Sequence, residues 1–205
     1  MNEFETKMLL KGCGIDVPRG KIIKSLEDAK GIDYPAVLKV CSARILHKSD
    51  VGGVLFVRNE EELKKAFAEL SSKFPNESLL LEEMIEEKGI ETIVGIGWDR
   101  DFGRFIMAGI GGVLAELYGD VSFRLLPINR KDAIDLVESL KGKKLFHGFR
   151  GIKVANEAFY DLLLNVADTA EKKDIKDMDL NPVLLTEERA IVLDAKIVEV
   201  KNEAD

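Results

Sequence analysis

Residues 34–57 read YPAVLKVCSARILHKSDVGGVLFV. Two apolar, β-branched runs at 36–40 and 51–57 flank a ten-residue polar loop, the pattern of a hairpin with a long connection. Lys39 ends the first run. The loop supplies Ser42, Arg44, His47, Lys48, Ser49 and Asp50, and Gly52-Gly53 opens the second run. Cations beside paired glycines suit a polyanion, because glycine lets backbone N–H groups approach phosphate oxygens and a lysine adds a point charge. No GxxxxGK[ST] is present, and the order is strand–loop–strand, so this is not a Walker-type loop. A surface hairpin with a charged tip carries the same pattern. A histidine in such a loop is ordinarily a solvated side chain. Next to phosphate-holding cations, the His47 imidazole is also a nucleophile able to attack phosphorus and carry the group covalently.

On the N-terminal side, residues 2–11 place Phe4, Met8 and Leu9 near helical spacing, with Gly12 and Gly14 as stops. A turn at Val17-Pro18-Arg19-Gly20 leads to a short strand at 21–24, and Ser25 caps a brief helix through Lys30. After the hairpin, Asn59 with Glu62 resembles a capping box. The helix it opens repeats Leu63, Ala66, Phe67 and Leu70 at i, i+3, i+4, i+7 and stops before Phe74-Pro75-Asn76. A strand at 78–85 runs into an acidic elbow, Glu82-Glu83-Met84-Ile85-Glu86-Glu87-Lys88-Gly89. Further strands are predicted at 90–98, 104–108, 113–118 and 121–126. A helix runs from Asn129 to Gly142 with Ile134, Val137 and Leu140 inward. Another starts at Asn156 with Phe159, Leu163, Val166 and Ala167 on one face, and strands at 178–185 and 190–198 close the chain. The fold class is α+β, in two halves at residues 1–88 and 89–205, with a ligand cleft expected between them.

The last two strands allow a count. If Thr186-Glu187-Glu188-Arg189 is a four-residue turn, Leu185 pairs with Ala190, Asn181 with Asp194 and Asp179 with Lys196. Those four polar side chains then share a face, opposed residues about 5 Å apart at Cβ. An Asn oxygen and an Asp carboxylate suit Mg2+, which takes few protein ligands and completes its shell with phosphate and water. A solvated strand face with an Asp–Lys pair fits the same residues. Pro182 weakens a regular ladder there, as at an edge or bulge. In the elbow, Glu82-Glu83-Met84-Ile85 is placed to meet an adenine, with Met84 on its face and Glu91 toward a ribose. A plain acidic linker is the alternative. Arg124, on a strand of Val121, Phe123 and Leu125, suggests an anion partner or a strand-edge arginine. His147 is assigned nothing.

Composition bounds these readings. Among 205 residues, 37 Asp+Glu against 30 Lys+Arg leave a net charge of −7, which argues against coating nucleic acid while permitting a local phosphate site. Cys13 and Cys41 have no metal spacing and form no disulfide framework, as in a reducing compartment. No signal peptide and no apolar run of membrane length are read, so a cytoplasmic protein without membrane contact is expected. The Glu- and Lys-rich surface points to a thermophilic source.

LKVCSARILHKSDVGGV, then GIETIVGIGWDRDFGRFIMAGIGGVLAELYGDVSFRLLP, then MDLNPVLL and IVLDAKI closely resemble the ATP-grasp subunit of the ADP-forming acetyl-CoA synthetases, archaeal acyl-CoA synthetases related to succinyl-CoA synthetase. The resemblance covers nearly the whole chain. It implies an ATP-grasp fold whose two α+β subdomains hold ATP or ADP between them. It also implies the reversible reaction acyl-CoA + ADP + phosphate ⇌ acid + ATP + CoA. By the resemblance, Lys39, Gly52 and Gly53 meet the nucleotide phosphates, Glu83, Met84 and Ile85 the adenine, and Glu91 the ribose side, while Asn181 and Asp194 hold Mg2+. Lys48, from its place in the loop, is expected to neutralise phosphate as well, and Arg124, from its place on a strand, is expected to join the catalytic set. Asp179 falls where the succinyl-CoA relatives have a glutamate that steadies a phosphohistidine, and His47 matches a histidine thought to ferry phosphoryl between distant sites. The further C-terminal domain of the succinyl-CoA synthetase β chain has no counterpart here, and no CoA-binding domain is recognisable. The resemblance therefore implies half an enzyme, completed by a CoA-binding alpha subunit in an α2β2 heterotetramer. A carboxylate–amine ligase of the same fold would need no histidine shuttle, and a nucleotide-sensing module would need no transfer at all.

Overall fold

Asn59 starts the first long helix by accepting a hydrogen bond from Glu62 N at 2.9 Å, while the Glu62 carboxylate turns back one residue further than a capping box requires, to Arg58 N at 2.8 Å. The structure, a computed structural model, describes residues 1–45, 48–112 and 119–198. His47 and the strand expected at 113–118 lie outside the described residues. The chain groups into two compact units. One comprises Asn2–Glu5 and Pro18–Glu86; the other comprises Met1, Thr6–Val17 and the described residues from Glu87 on. Helix α1 (Glu3–Gly12) contributes its first residues to the former and the rest to the latter.

The smaller unit holds β1 (Gly20–Ile23), a 3-10 turn at Leu26–Ala29, β2 (Ala36–Cys41), β3 (Val54–Val57), α2 (Glu60–Lys73) and β4 (Ser78–Glu83). Its four-stranded antiparallel sheet runs in the order β1-β4-β2-β3. The expected hairpin is present, with Ala36 facing Val57 and Lys39 facing Val54. Its second strand begins three residues later than the apolar run suggested, because residues 49–52 close a turn, Gly52 N to Ser49 O at 3.0 Å. β4 likewise stops at Glu83 rather than at Ile85. Leu63, Ala66 and Leu70 of α2 pack on Ala36, Leu38, Val57, Leu79 and Leu81, so one sheet face is the core.

The larger unit carries β5 (Gly89–Asp99), β6 (Gly103–Ile110), β7 (Val121–Leu125), α3 (Arg130–Glu138), α4 (Asn156–Lys172), β8 (Met178–Thr186), β9 (Ala190–Val192) and β10 (Ala195–Ile197). The sheet runs β10-β8-β5-β6-β7, with β9 also on β8, and every pairing is antiparallel. Helix α3 is shorter than expected. It ends at Glu138, where the Ser139 hydroxyl bonds to Asp135 O at 2.6 Å, and it turns Ala133, Leu136 and Val137 inward while Ile134 stays exposed. Helix α4 buries Phe159, Leu163, Val166 and Ala167 as expected. Phe159, Leu163 and Val166 each contribute about 1.5–3 kcal/mol by leaving water. No described helix is long and apolar enough to cross a membrane.

Phe159 is fully buried and packs on Phe146 with ring centroids 5.5 Å apart. Phe159→Ala removes the ring and leaves a cavity, so urea denaturation is expected to show a loss of about 3–5 kcal/mol. A loss below 1 kcal/mol would place α4 elsewhere.

Candidate functional site

In the smaller unit, alternation along β2 aims Leu38 at α2 and Lys39 at the opposite sheet face. There the Lys39 ammonium is almost wholly buried and lies 2.8 Å from Glu82 Oε2 and 3.0 Å from Glu3 Oε1. Lys48 pairs with the other Glu3 oxygen. Two ammonium groups and two carboxylates therefore leave water as a balanced set. Removing one partner from such a set leaves an uncompensated buried charge, while the intact set adds little net stability. Sequence reasoning found the lysines and missed both acids. Glu82 carried a legible signal, an acid inside the apolar run SLLLEE two residues on from Leu80. Glu3 carried none, being 36 residues from Lys39 on a different element.

Gly52 and Gly53 have a local structural reason. Gly52 has φ +59, a left-handed conformation, and a Cβ on Gly53 would lie 2.5 Å from Val40 Cγ1 and 3.0 Å from Lys48 O. Gly53 N donates to Lys48 O at 2.7 Å and Val40 N to Gly53 O at 2.8 Å, which draws the end of the loop, with Lys48, back against β2. Beneath the first turn of α1, burial pushes the Cys41 thiol up, and this outweighs the Phe4 and Glu3 amides that favour its thiolate.

At the elbow, Glu83 accepts from Arg19 N at 2.9 Å and Arg19 Nε at 2.7 Å. Met84 N donates to Pro35 O at 3.1 Å, so that backbone donor is engaged within the chain. The Met84 side chain lines a cleft of about 530 Å³ with Tyr34, Pro35, Phe56, Arg58 and Glu86, while Ile85 is half-buried beside it in sequence.

In the larger unit, the counted register holds: Leu185 faces Ala190 and Asp179 faces Lys196. Asn181 N donates to Asp194 O at 3.2 Å, and Leu193 N to Pro182 O at 3.0 Å. Strict alternation does not hold. The core takes Met178 and Leu180, then Val183 and Leu185; on the facing strands it takes Ala190 and Val192, then Ala195 and Ile197. Each series steps by three across the break, so Asn181-Pro182 and Leu193-Asp194 are a pair of opposed irregularities. On the other flank of β8, the register with β5 shifts at the same place, between Thr92 and Val94. The break turns Asn181 outward and leaves Asp194 half-buried. An amide oxygen and a carboxylate are hard donors. Among the described residues, no group of three or more His, Cys, Asp or Glu gathers as a metal cage. Two protein oxygens fit Mg2+, whose remaining positions go to phosphate and water.

Glu91 is exposed on β5, and its carbonyl accepts from Gly111 N at 2.7 Å. Arg124 on β7 donates to Phe123 O at 2.8 Å and to Ser139 Oγ at 3.3 Å. The Asp120 carboxylate, which sequence reasoning passed over, accepts from Lys141 N at 2.8 Å and Gly142 N at 2.7 Å and ties the end of α3 to the start of β7.

The chain is similar to known proteins over nearly its whole length. A family model described as an ATP-grasp domain matches residues 1–198. The chain is 43% identical over 201 residues to acetate–CoA ligase [ADP-forming] II of Archaeoglobus fulgidus, covering 96% of this chain and 30% of that protein. It is 37% identical over 210 residues to acetate–CoA ligase [ADP-forming] I subunit beta of Pyrococcus furiosus, covering 96% and 90%. The chain thus spans under a third of the first relative and nearly all of the second. Among solved structures, acetyl-coenzyme A synthetase 1 of Ca. Korarchaeum cryptofilum with coenzyme A and Ca-AMPCP superposes with a TM-score of 0.89 at 38% identity, covering 97% of this chain and 92% of that one. The same enzyme with Mg-AMPPCP, its phosphohistidine segment pointing towards the nucleotide site, gives 0.84 at 38% identity, covering 96% and 91%. This chain belongs to the ATP-grasp family, in the branch of the ADP-forming acetate–CoA ligase beta subunits.

Proposed function

We propose that this chain is the nucleotide-binding subunit of a cytoplasmic ADP-forming acyl-CoA synthetase, working with a CoA-binding alpha subunit in an α2β2 assembly. The observation that carries the reading is the paired break at Asn181-Pro182 and Leu193-Asp194, which presents two hard oxygen donors within a chain of this family. Asn181 and Asp194 hold Mg2+, and the ion when bound offsets charge on the nucleotide phosphates. Lys39 and Lys48 neutralise phosphate oxygens, and the Gly52-Gly53 turn brings backbone near them. Glu83, Met84 and Ile85 meet the adenine and Glu91 the ribose. Phosphoryl arrives as phosphohistidine on His47. A β-phosphate oxygen of ADP attacks phosphorus, the P–N bond breaks as the new P–O bond forms, and the imidazole leaves neutral after taking up a proton. Asp179 orients the imidazole by accepting its other N–H, and Arg124 steadies anionic charge during transfer.

Two outcomes test this reading. Asp194→Asn keeps the shape and removes the charge, so calorimetry is expected to show Mg·ADP binding weakened about tenfold or more with the melting temperature retained. Unchanged affinity would remove the metal assignment. In the assembled enzyme, labelled ATP quenched in base is expected to leave phosphate on the His47 peptide. His47→Ala should bind nucleotide normally and lose nearly all synthesis. Normal turnover in that variant, with no label on the peptide, would reduce the loop to a phosphate clamp.

A further inference from the structure

Lys7, on α1, is 1% exposed and is among the largest fully buried side chains of the protein. Its ammonium donates to Leu193 O at 2.8 Å, across 186 residues of sequence. A lysine goes this deep only where its hydrogens meet acceptors, and the identity of this acceptor is informative. In the ladder, Leu193 faces Pro182. Leu193 N reaches Pro182 O at 3.0 Å, but a proline has no N–H with which to return the bond. At the place where β9 gives way to β10, Lys7 donates a hydrogen to the Leu193 carbonyl, which Pro182 has no N–H to meet.

That carbonyl belongs to the peptide unit joining Leu193 to Asp194. With its oxygen held by Lys7, the plane of this peptide is fixed. The peptide on the other side of Asp194 is fixed through its own oxygen by Asn181 N at 3.2 Å. Both planes flanking the Asp194 Cα are therefore tethered, one through a buried cation and one through the very residue Asp194 is paired with. We infer that Lys7 is a positioning residue for the Asn181–Asp194 pair, setting the direction of the Asp194 carboxylate through the backbone it holds. This rests on the reading of those two residues as metal ligands.

The test uses the full chain with Mn2+ as a paramagnetic probe, counted free and bound by electron paramagnetic resonance in the presence of ADP. Lys7→Met keeps length and bulk and removes the donor. Its Mn2+ affinity is expected to fall roughly 10–100-fold, the range for groups that orient metal ligands, while ADP affinity without metal is unchanged. Lys7→Arg, which restores a buried donor, is expected to recover most of the loss. A general loss of folding would lower both affinities together, so the split between them reports positioning. Asp194→Asn runs alongside. If it weakens Mn2+ binding and a folded Lys7→Met does not, Lys7 has no positioning role and the metal reading stands. If Asp194→Asn leaves Mn2+ binding intact, the metal reading fails and this inference falls with it. Should Lys7→Met not fold, the wild-type chain decides. Leu193-Asp194 is the only Leu-Asp step in the sequence, so carbonyl-labelled leucine with nitrogen-labelled aspartate gives a single correlation for that peptide. Its displacement on adding Mg·ADP, retained in Lys7→Arg, supports the tether. A peak that does not move overturns it.

Discussion

Among the described residues, Lys7, Lys39 and Lys48 hold their ammonium groups largely out of water, and none can stay there without fixing the backbone around it. Lys39 is accompanied by Glu82 from the neighbouring strand and Glu3 from α1, and Lys48 completes the neutral set. Lys7 donates to the Leu193 carbonyl. Burial of a charge is costly enough that its partners are specified as firmly as any core residue. Here those partners lie beside the groups assigned to phosphate and metal. Glu3 and Lys7 stand four residues apart on one helix, a spacing that puts them on the same side. Glu3 belongs to the smaller unit and Lys7 to the larger.

The two units share a plan. Each is an antiparallel sheet with its apolar core on one face, and antiparallel pairing permits the other face to carry polar groups. In the smaller unit that face bears Lys39, Cys41 and Glu82. In the larger it bears Glu91, Asp179, Asn181 and Lys196. Core residues fill the opposite face with hardly an exception. Strand alternation alone thus separates the residues that make the fold from those assigned to the chemistry, two types on one strand a single position apart.

How much of this was legible in the sequence follows from the range of each signal. Helices α2 and α4 and the pairing of Leu185 with Ala190 rest on local periodicity and one short turn, and these came through unchanged. The pairing of Asp179 with Lys196 came through as well, because register is additive along a hairpin. The face reversal between them was not legible: a matched irregularity on both strands preserves the count while it inverts the pleat. Pro182 hinted at a break but not at what replaced its hydrogen bond. Ile134 was misplaced because an i, i+3 series reads equally well one position over, and Ala133 and Leu136 took the inward side. Glu3 was out of reach, since nothing near it in sequence records that Lys39 lies opposite.

Cys41 closes β2 beneath the first turn of α1, with its thiol shielded and its ionisation suppressed by that burial. Alkylating reagents need both an open path and a thiolate. Cys13, at the far end of the same helix, is partly open to solvent. The two thiols are therefore a built-in pair of clocks. Cys13 runs at the pace set by its own surroundings, whereas Cys41 ticks only when whatever buries it opens. The ratio of their labelling rates measures how often that buried face is uncovered, with no tag or mutation introduced beforehand.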